Sequence, residues 1–292
     1  MKSGWLINLG LLVVVVGVAL ALYFAPHPQE KQALAIPVST LAPAAVAKIS
    51  IEFPAKKAVS FERRAGQWFL LQPFAARAGQ AAVDGVLSIL TATSVDKFDA
   101  SDPARYGLDH PALVLRLGEE VFTFGTYNPV SGMQYVGNRN SVFLVESRYS
   151  EAASIRPVEL IDKNLLGATE KIAGFDFSRL EQWEDHGLRL DQDKGQWQVI
   201  RPDTKPKQEE INAWFTDSWG TLIALSVEPY TPDLRAKSPS FEIHLKNGKT
   251  LHLDKQGESP ELILARPDEG LRYHFPQDVG FQILNPPVGA AK

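Results

Sequence analysis

Ser94-Val95-Asp96-Lys97 has the S-x-x-K spacing that sets a serine nucleophile one helical turn from a lysine. That chemistry also needs a Ser-Asp-Asn element and a Lys-Thr-Gly strand. Here Lys249-Thr250 runs into Leu251, so the spacing reads as the polar end of a helix. A second set is imidazole. In 241–245, 251–253 and 271–275 the large apolar residues alternate onto one face and leave His244, His252 and His274 on the other. Three imidazoles on neighbouring strands could bind a metal ion. The same alternation puts polar residues outward on any half-buried sheet, and this plainer reading is the one expected. A third candidate is the turn Gly125-Thr126-Tyr127-Asn128-Pro129-Val130-Ser131-Gly132. As a binding loop it would offer Tyr127 and Asn128, with Tyr135 on the following strand; as a plain connector, the stronger reading, it would offer nothing. No G-x-S-x-G, H-E-x-x-H, Walker A or G-x-G-x-x-G pattern occurs. No catalytic residue and no cofactor is therefore assigned.

These residues need elements to position them, and the elements come twice. Gly66-Gln67-Trp68 and Gly195-Gln196-Trp197 stand 129 positions apart, each opening a short apolar strand. Around each, periodicity predicts the same succession. In the first half, strands at 47–53, 59–63 and 67–71 precede a helix over 80–93, then strands at 113–117, 121–124, 134–136 and 141–145. In the second, strands at 180–183, 188–191 and 196–200 precede a helix over 207–225, then strands at 241–245, 250–253, 261–265 and 271–275. Asn247-Gly248 is a hairpin signal, and the alternation asks for a bulge that sets Leu245 opposite Leu251. The expected fold class is α+β: a tandem repeat of two similar units, 46–167 and 168–286, each an antiparallel meander sheet with a packed helix. Residues 287–292 are expected as a disordered tail.

Ahead of these units, Trp5 to Phe24 is apolar apart from Asn8. Twenty helical residues span about 30 Å, the thickness of a bilayer core. Ala19-Leu20-Ala21 would suit signal cleavage, but the run continues through Leu22, Tyr23 and Phe24, which favours a retained anchor over residues 1–24. Lys2 and the amino terminus favour an N-in orientation. Residues 25–45 hold prolines at 26, 28, 37 and 43 and predict an extended spacer. The 292 residues include no cysteine, which excludes a disulfide framework and a thiolate metal site. The net charge of −4 speaks against nucleic acid as a partner.

Tyr106-Gly107-Leu108-Asp109-His110-Pro111 is followed by an alternating strand, then Thr123-Phe124-Gly125, Tyr135, Val142-Phe143-Leu144-Val145 and Ile161-Asp162-Lys163-Asn164-Leu165-Leu166. This order resembles the bacterial domain of unknown function 4340 family, with Ile161 standing where the family often has arginine. The resemblance covers roughly 47–166 well and the second half more weakly. It implies a membrane-anchored envelope protein, some relatives of which accompany ABC transport systems; it brings no catalytic residues with it. The expected function is a non-catalytic binding or scaffold module on the periplasmic side of the bacterial inner membrane, held single-pass through Trp5 to Phe24. The alternatives are an envelope hydrolase acting on a cell-wall or glycan substrate, or a ligand or metal sensor.

Overall fold

Leu113, Leu115 and Leu117 turn inward along one strand and meet Phe124 and Phe122 across the next. Each such side chain taken from water contributes about 1.5–3 kcal/mol, and this alternation builds the two large sheets, of nine and eight strands, beside a two-stranded one that pairs Ile36–Pro37 with Thr93–Ser94. The computed structural model describes residues 10–12, 14–18, 20, 35–200, 206–232 and 238–288. By its contacts the chain divides into Met1–Ile36 and Pro37–Lys292.

In the first unit, residues 10–12, 14–18 and 20 are helical and exposed. The rest of the expected Trp5–Phe24 span, and the spacer from 25 to 34, lie outside the described residues. Among the described residues no helix is long and apolar enough to cross a membrane.

The second unit begins earlier than the spacer reading allows. Val38 and Ser39 are buried, Val38 N–H donates to the Ala92 carbonyl at 3.0 Å, and Ser39 Oγ donates to Glu120 at 2.6 Å. Residues 37–45 are thus part of the folded body. The first sheet contains β1 (Lys48–Glu52), β2 (Val59–Arg64), β3 (Gln67–Gln72), β4 (Ala76–Arg77), β5 (Lys97–Asp99), β6 (Leu113–Leu117), β7 (Glu120–Tyr127), β8 (Gln134–Asn138) and β9 (Ser141–Val145). Its spatial order is β4-β3-β2-β1-β6-β7-β8-β9-β5. Helix α1 (Gln80–Leu87) follows β4, and α2 (Arg148–Ala153) follows β9.

The second sheet contains β10 (Ile172–Asp176), β11 (Arg189–Asp193), β12 (Gln196–Ile200), β13 (Ser226–Pro229), β14 (Ser240–Leu245), β15 (Thr250–Gly257), β16 (Glu261–Arg266) and β17 (Leu271–Pro276). Their order is β12-β11-β10-β14-β15-β16-β17-β13. Helix α3 (Gln208–Trp214) follows β12, and α4 (Gln277–Leu284) follows β17. Neighbouring strands are antiparallel and neither sheet closes into a barrel, so the class is α+β. The hairpins before Trp68 and Trp197 turn on Ala65-Gly66 and Lys194-Gly195, all at positive φ. That is the type I′ geometry, whose twist matches the strands, and both tryptophans are buried beyond it.

Several sequence expectations are corrected. Residues 180–183 are turn rather than strand, and the strand of that position is β10. Asp176 ends it by accepting the N–H and hydroxyl of Ser178, an Asx turn. Helix α1 tightens to a 3-10 turn at Ser88–Thr91, where Ser88 and Thr91 hydroxyls donate back to carbonyls three residues earlier. Helix α3 widens into a π turn at Phe215–Trp219 and stops at Gly220 instead of reaching 225. Leu251 pairs with Ile243, not Leu245. The extra residue sits in the loop: Gly248, at φ 83, closes a turn onto the Leu245 carbonyl, and Leu245 meets Lys249. Val288 is buried, so the expected tail is packed at least that far; 289–292 lie outside the described residues.

Helix α4 is absent from the sequence reading, yet it fixes the second sheet. The last carbonyls of a helix have no partner within it. Here those of Gln282, Ile283 and Leu284 accept the indole N–H groups of Trp214 (2.6 Å), Trp219 (3.2 Å) and Trp183 (2.9 Å). In an α-helix, residues five apart diverge by about 140°. The π turn narrows that divergence and lets Trp214 and Trp219 reach the same helix end.

Candidate functional site

The Tyr127 loop is a shaped object. Asn128 Nδ2 donates to Tyr135 Oη at 3.0 Å, Asn128 Oδ1 accepts from Val130 N–H (2.9 Å) and Ser131 N–H (3.2 Å), and its backbone pairs with Met133 and Gly132. Structure therefore brings Asn128 and Tyr135 together, while the Tyr127 ring is exposed. Tyr135 packs in turn at a tilt on Tyr106 (5.0 Å between centroids) and edge-on to Phe98 (6.2 Å) on the outer face of the first sheet.

The floor of that cluster is glycine. A Cβ on Gly125 would lie 2.1 Å from the Tyr106 carbonyl, and one on Gly137 would lie 3.1 Å from Leu108. The Tyr106-Gly107-Leu108 segment thus crosses β7 and β8 where no side chain blocks it, with Gly107 at φ 68 turning the chain. Gly125→Ala should overpack this crossing and lower stability by about 1–3 kcal/mol. Gly85→Ala, whose added carbon meets only Ala152 at 3.7 Å, should be neutral or stabilising, since alanine is the better helix former by about 1 kcal/mol. Thermal unfolding of both variants checks this. Equal Tm values would mean that the crossing is not tight.

The three histidines share the outer face of the second sheet but are not brought together. His244 faces Asp191 at 3.5 Å, His252 faces Asp254 at 3.0 Å, and His274 lies between Glu261 and Glu228, each at 3.1 Å. Among the described residues, no group of three or more His, Cys, Asp or Glu is arranged to hold a metal ion. Ser94 is likewise occupied. Its hydroxyl lies within hydrogen-bond distance of the Leu144 and Asp96 carbonyls and accepts from both backbone N–H groups. Lys97 rests over the Phe143 ring at 5.9 Å.

The densest chemistry lies where the two sheets join, at residues the sequence reading passed over. The linker 160–164 bonds on one side to the β4 edge: Gly79 N–H donates to the Leu160 carbonyl (2.9 Å) and Asp162 N–H to that of Arg77 (2.8 Å). On the other side Ala224 N–H, on the chain leading into β13, donates to the Lys163 carbonyl at 2.9 Å. Two buried guanidinium groups then fasten the seam. Arg77 reaches Asp162 and Glu269 (both 2.9 Å), Tyr273 (3.0 Å) and the carbonyls of Asn164 and Leu165. Arg266, only 1% exposed, reaches Glu170 (2.9 Å), Asp268 (2.7 Å) and the same Leu165 carbonyl (2.7 Å). Burial opposes a charged Glu170, but hydrogen bonds from Arg266 and the Gly167 N–H hold it below the usual carboxylate range. Burial, reinforced by Glu269, pushes the Tyr273 hydroxyl up, so it stays protonated and donates to Glu269 at 2.6 Å. Beside this network opens a cleft of about 440 Å³ lined by Asp162, Leu165, Glu170, Lys171, Phe215 and Trp219 among others. Parity along β16 carries a signal for one member, because Leu262, Leu264 and Arg266 all point inward. Arg77 offers none.

The fold and the seam define a class: an α+β protein whose two large antiparallel sheets are stitched by an extended linker and a buried arginine–carboxylate network. The chain belongs to the family described as Domain of unknown function (DUF4340), which matches residues 68–239. That stretch runs from β3 through the seam to the residue before β14. No curated protein and no solved structure matches the chain.

Proposed function

We propose that this chain is a non-catalytic, membrane-anchored extracytoplasmic module of the bacterial envelope that binds or scaffolds another envelope component, with a transport complex as the partner the family resemblance favours. The observation that carries it is how the buried charges are used. Among the described residues the buried charged side chains are Arg77, Glu120, Lys255 and Arg266, and each has an oppositely charged partner within 3 Å. Ion-pair networks that only hold a fold together perturb charged groups as active sites do; here Arg77 and Arg266 join segments far apart in the chain. We read the body as two copies of one unit. In support, the second sheet repeats the strand order of the first without β4, and the same turn precedes Trp68 and Trp197. The apolar run from Trp5 to Phe24 supplies the anchor.

Alkaline phosphatase fused after Lys292 should be active in intact cells, and a reporter that matures only in the cytoplasm should stay dark. The reverse pattern would overturn the membrane placement. Crosslinking in cells, followed by detergent purification, should bring the same envelope protein with the chain each time. A chain that consistently emerges alone would end the scaffold reading.

A further inference from the structure

We infer that the tip of the β7–β8 hairpin, Tyr127 to Met133, is a docking knob for a protein partner that presents an uncharged, shaped apolar pocket. This rests on the scaffold reading above and gives it a surface. From Val121 to Asn138 the chain holds no charged residue. At the apex Val130 is 95% exposed and Tyr127 is 52% exposed. A valine so exposed contributes nothing to the fold.

The tip is nonetheless held rigid from within, by the Asn128 hydrogen bonds to Tyr135, Val130 and Ser131. Ordering a loop before binding removes an entropic cost of association. A fixed shape rewards only a partner that has a shape to match. A fluid bilayer takes up apolar area whatever its shape, so rigidity favours a protein over a lipid surface. The fold itself does not require an uncharged loop there, since the corresponding β15–β16 turn carries Glu258, with Lys255 and Glu261 in the strands that flank it.

The test places a photo-crosslinking benzophenone residue at Ser131 or at Glu258 of the full chain in the native host. A discrete protein adduct is expected at Ser131 and not at Glu258. Val130→Ser, at an exposed position that cannot disturb folding, should reduce that adduct about five-fold, as loss of roughly one buried methylene-pair contact would. Asn128→Ala should reduce it similarly with the chain still folded. An adduct indifferent to both substitutions overturns the knob. So does one of twice the chain mass, a second copy, or one extractable into organic solvent, a lipid. If Ser131 gives nothing while Ile223 or Phe281 positions give protein adducts, the tip proposal falls and the scaffold reading stands. If no position gives one, both fall.

Discussion

Arg266→Met is expected to be among the most damaging single substitutions in this chain. Methionine keeps the length and the apolar stem but removes every donor. Glu170, Asp268 and Glu269 would then face one another around a carbonyl that has lost a partner. Breaking a buried ion pair on one side costs about 3–5 kcal/mol, or roughly 6–20 °C in Tm for a body of this size. Arg116→Met removes the exposed pair with Glu52 and should change stability by less than about 0.5 kcal/mol. Arg77→Met should resemble Arg266→Met, and the double variant should lose less than the sum of the two. Both arginines share Glu269 and the Leu165 carbonyl, and such neighbours couple by about 0.5–3 kcal/mol. Thermal unfolding of the full chain in detergent measures all four. A Tm for Arg266→Met within 2–3 °C of the parent, about 1 kcal/mol, would show that the seam does not depend on this network.

The same network sets a dependence on acid. Glu170 is held below its unfolded value by Arg266 and Gly167. Its contribution is present in full above the unfolded carboxylate pKa of about 4.3. It fades as pH falls through the lower folded value. Arg266→Met removes the main cause of that depression, so the variant should lose less additional stability than the parent between pH 5 and the acid limit.

Much of the sheet architecture could be read from period-two alternation, because burial of one face enforces it. Leu113–Leu117, Ser141–Val145 and Gln196–Ile200 form strands with the expected bounds. The strand β10 escaped because it carries Gly174 and Asp176, poor strand formers. Gly174 is nevertheless required there, since a Cβ would meet the Leu190 carbonyl at 2.7 Å. Of the candidate site, the residue types of the loop were legible but its shape was not. The contact between Asn128 and Tyr135 depends on a register shift between Gln134 and Val136, which no local pattern announces. The histidines show the opposite case. Their alternation was read correctly, yet each carboxylate facing them comes from another strand or another position on the same strand, and pairing register decides that. The seam was least legible of all. Arg77 becomes buried only because a linker more than 80 residues later folds back along β4.

Ending the chain at Pro276 should be more damaging still. Helix α4 places Ile283 and Leu284 in the core, each contributing about 1.5–3 kcal/mol. Its end takes three indole hydrogen bonds of about 0.5–1.5 kcal/mol each. Together these approach the roughly 5–15 kcal/mol that holds a whole domain, so the second sheet should not keep its native packing without the helix. Trp183, Trp214 and Trp219 are three of the six tryptophans in the chain, and all three would lose a carbonyl partner. Intrinsic emission should therefore shift to the red on truncation, together with a loss of cooperative unfolding. Gly280→Val is the milder version of the same test. Its Cβ would sit 2.4 Å from that of Leu262 on β16, lifting the helix from the sheet. Valine and alanine both form helix better than glycine, so a helix that were merely an appendage would gain stability from either. A helix pressed on Leu262 must lose it, by about 1–3 kcal/mol for alanine and more for valine. If Gly280→Ala raises Tm, or truncation leaves the emission maximum in place, then the indoles report a contact that the fold does not need, and the second sheet closes its core without α4.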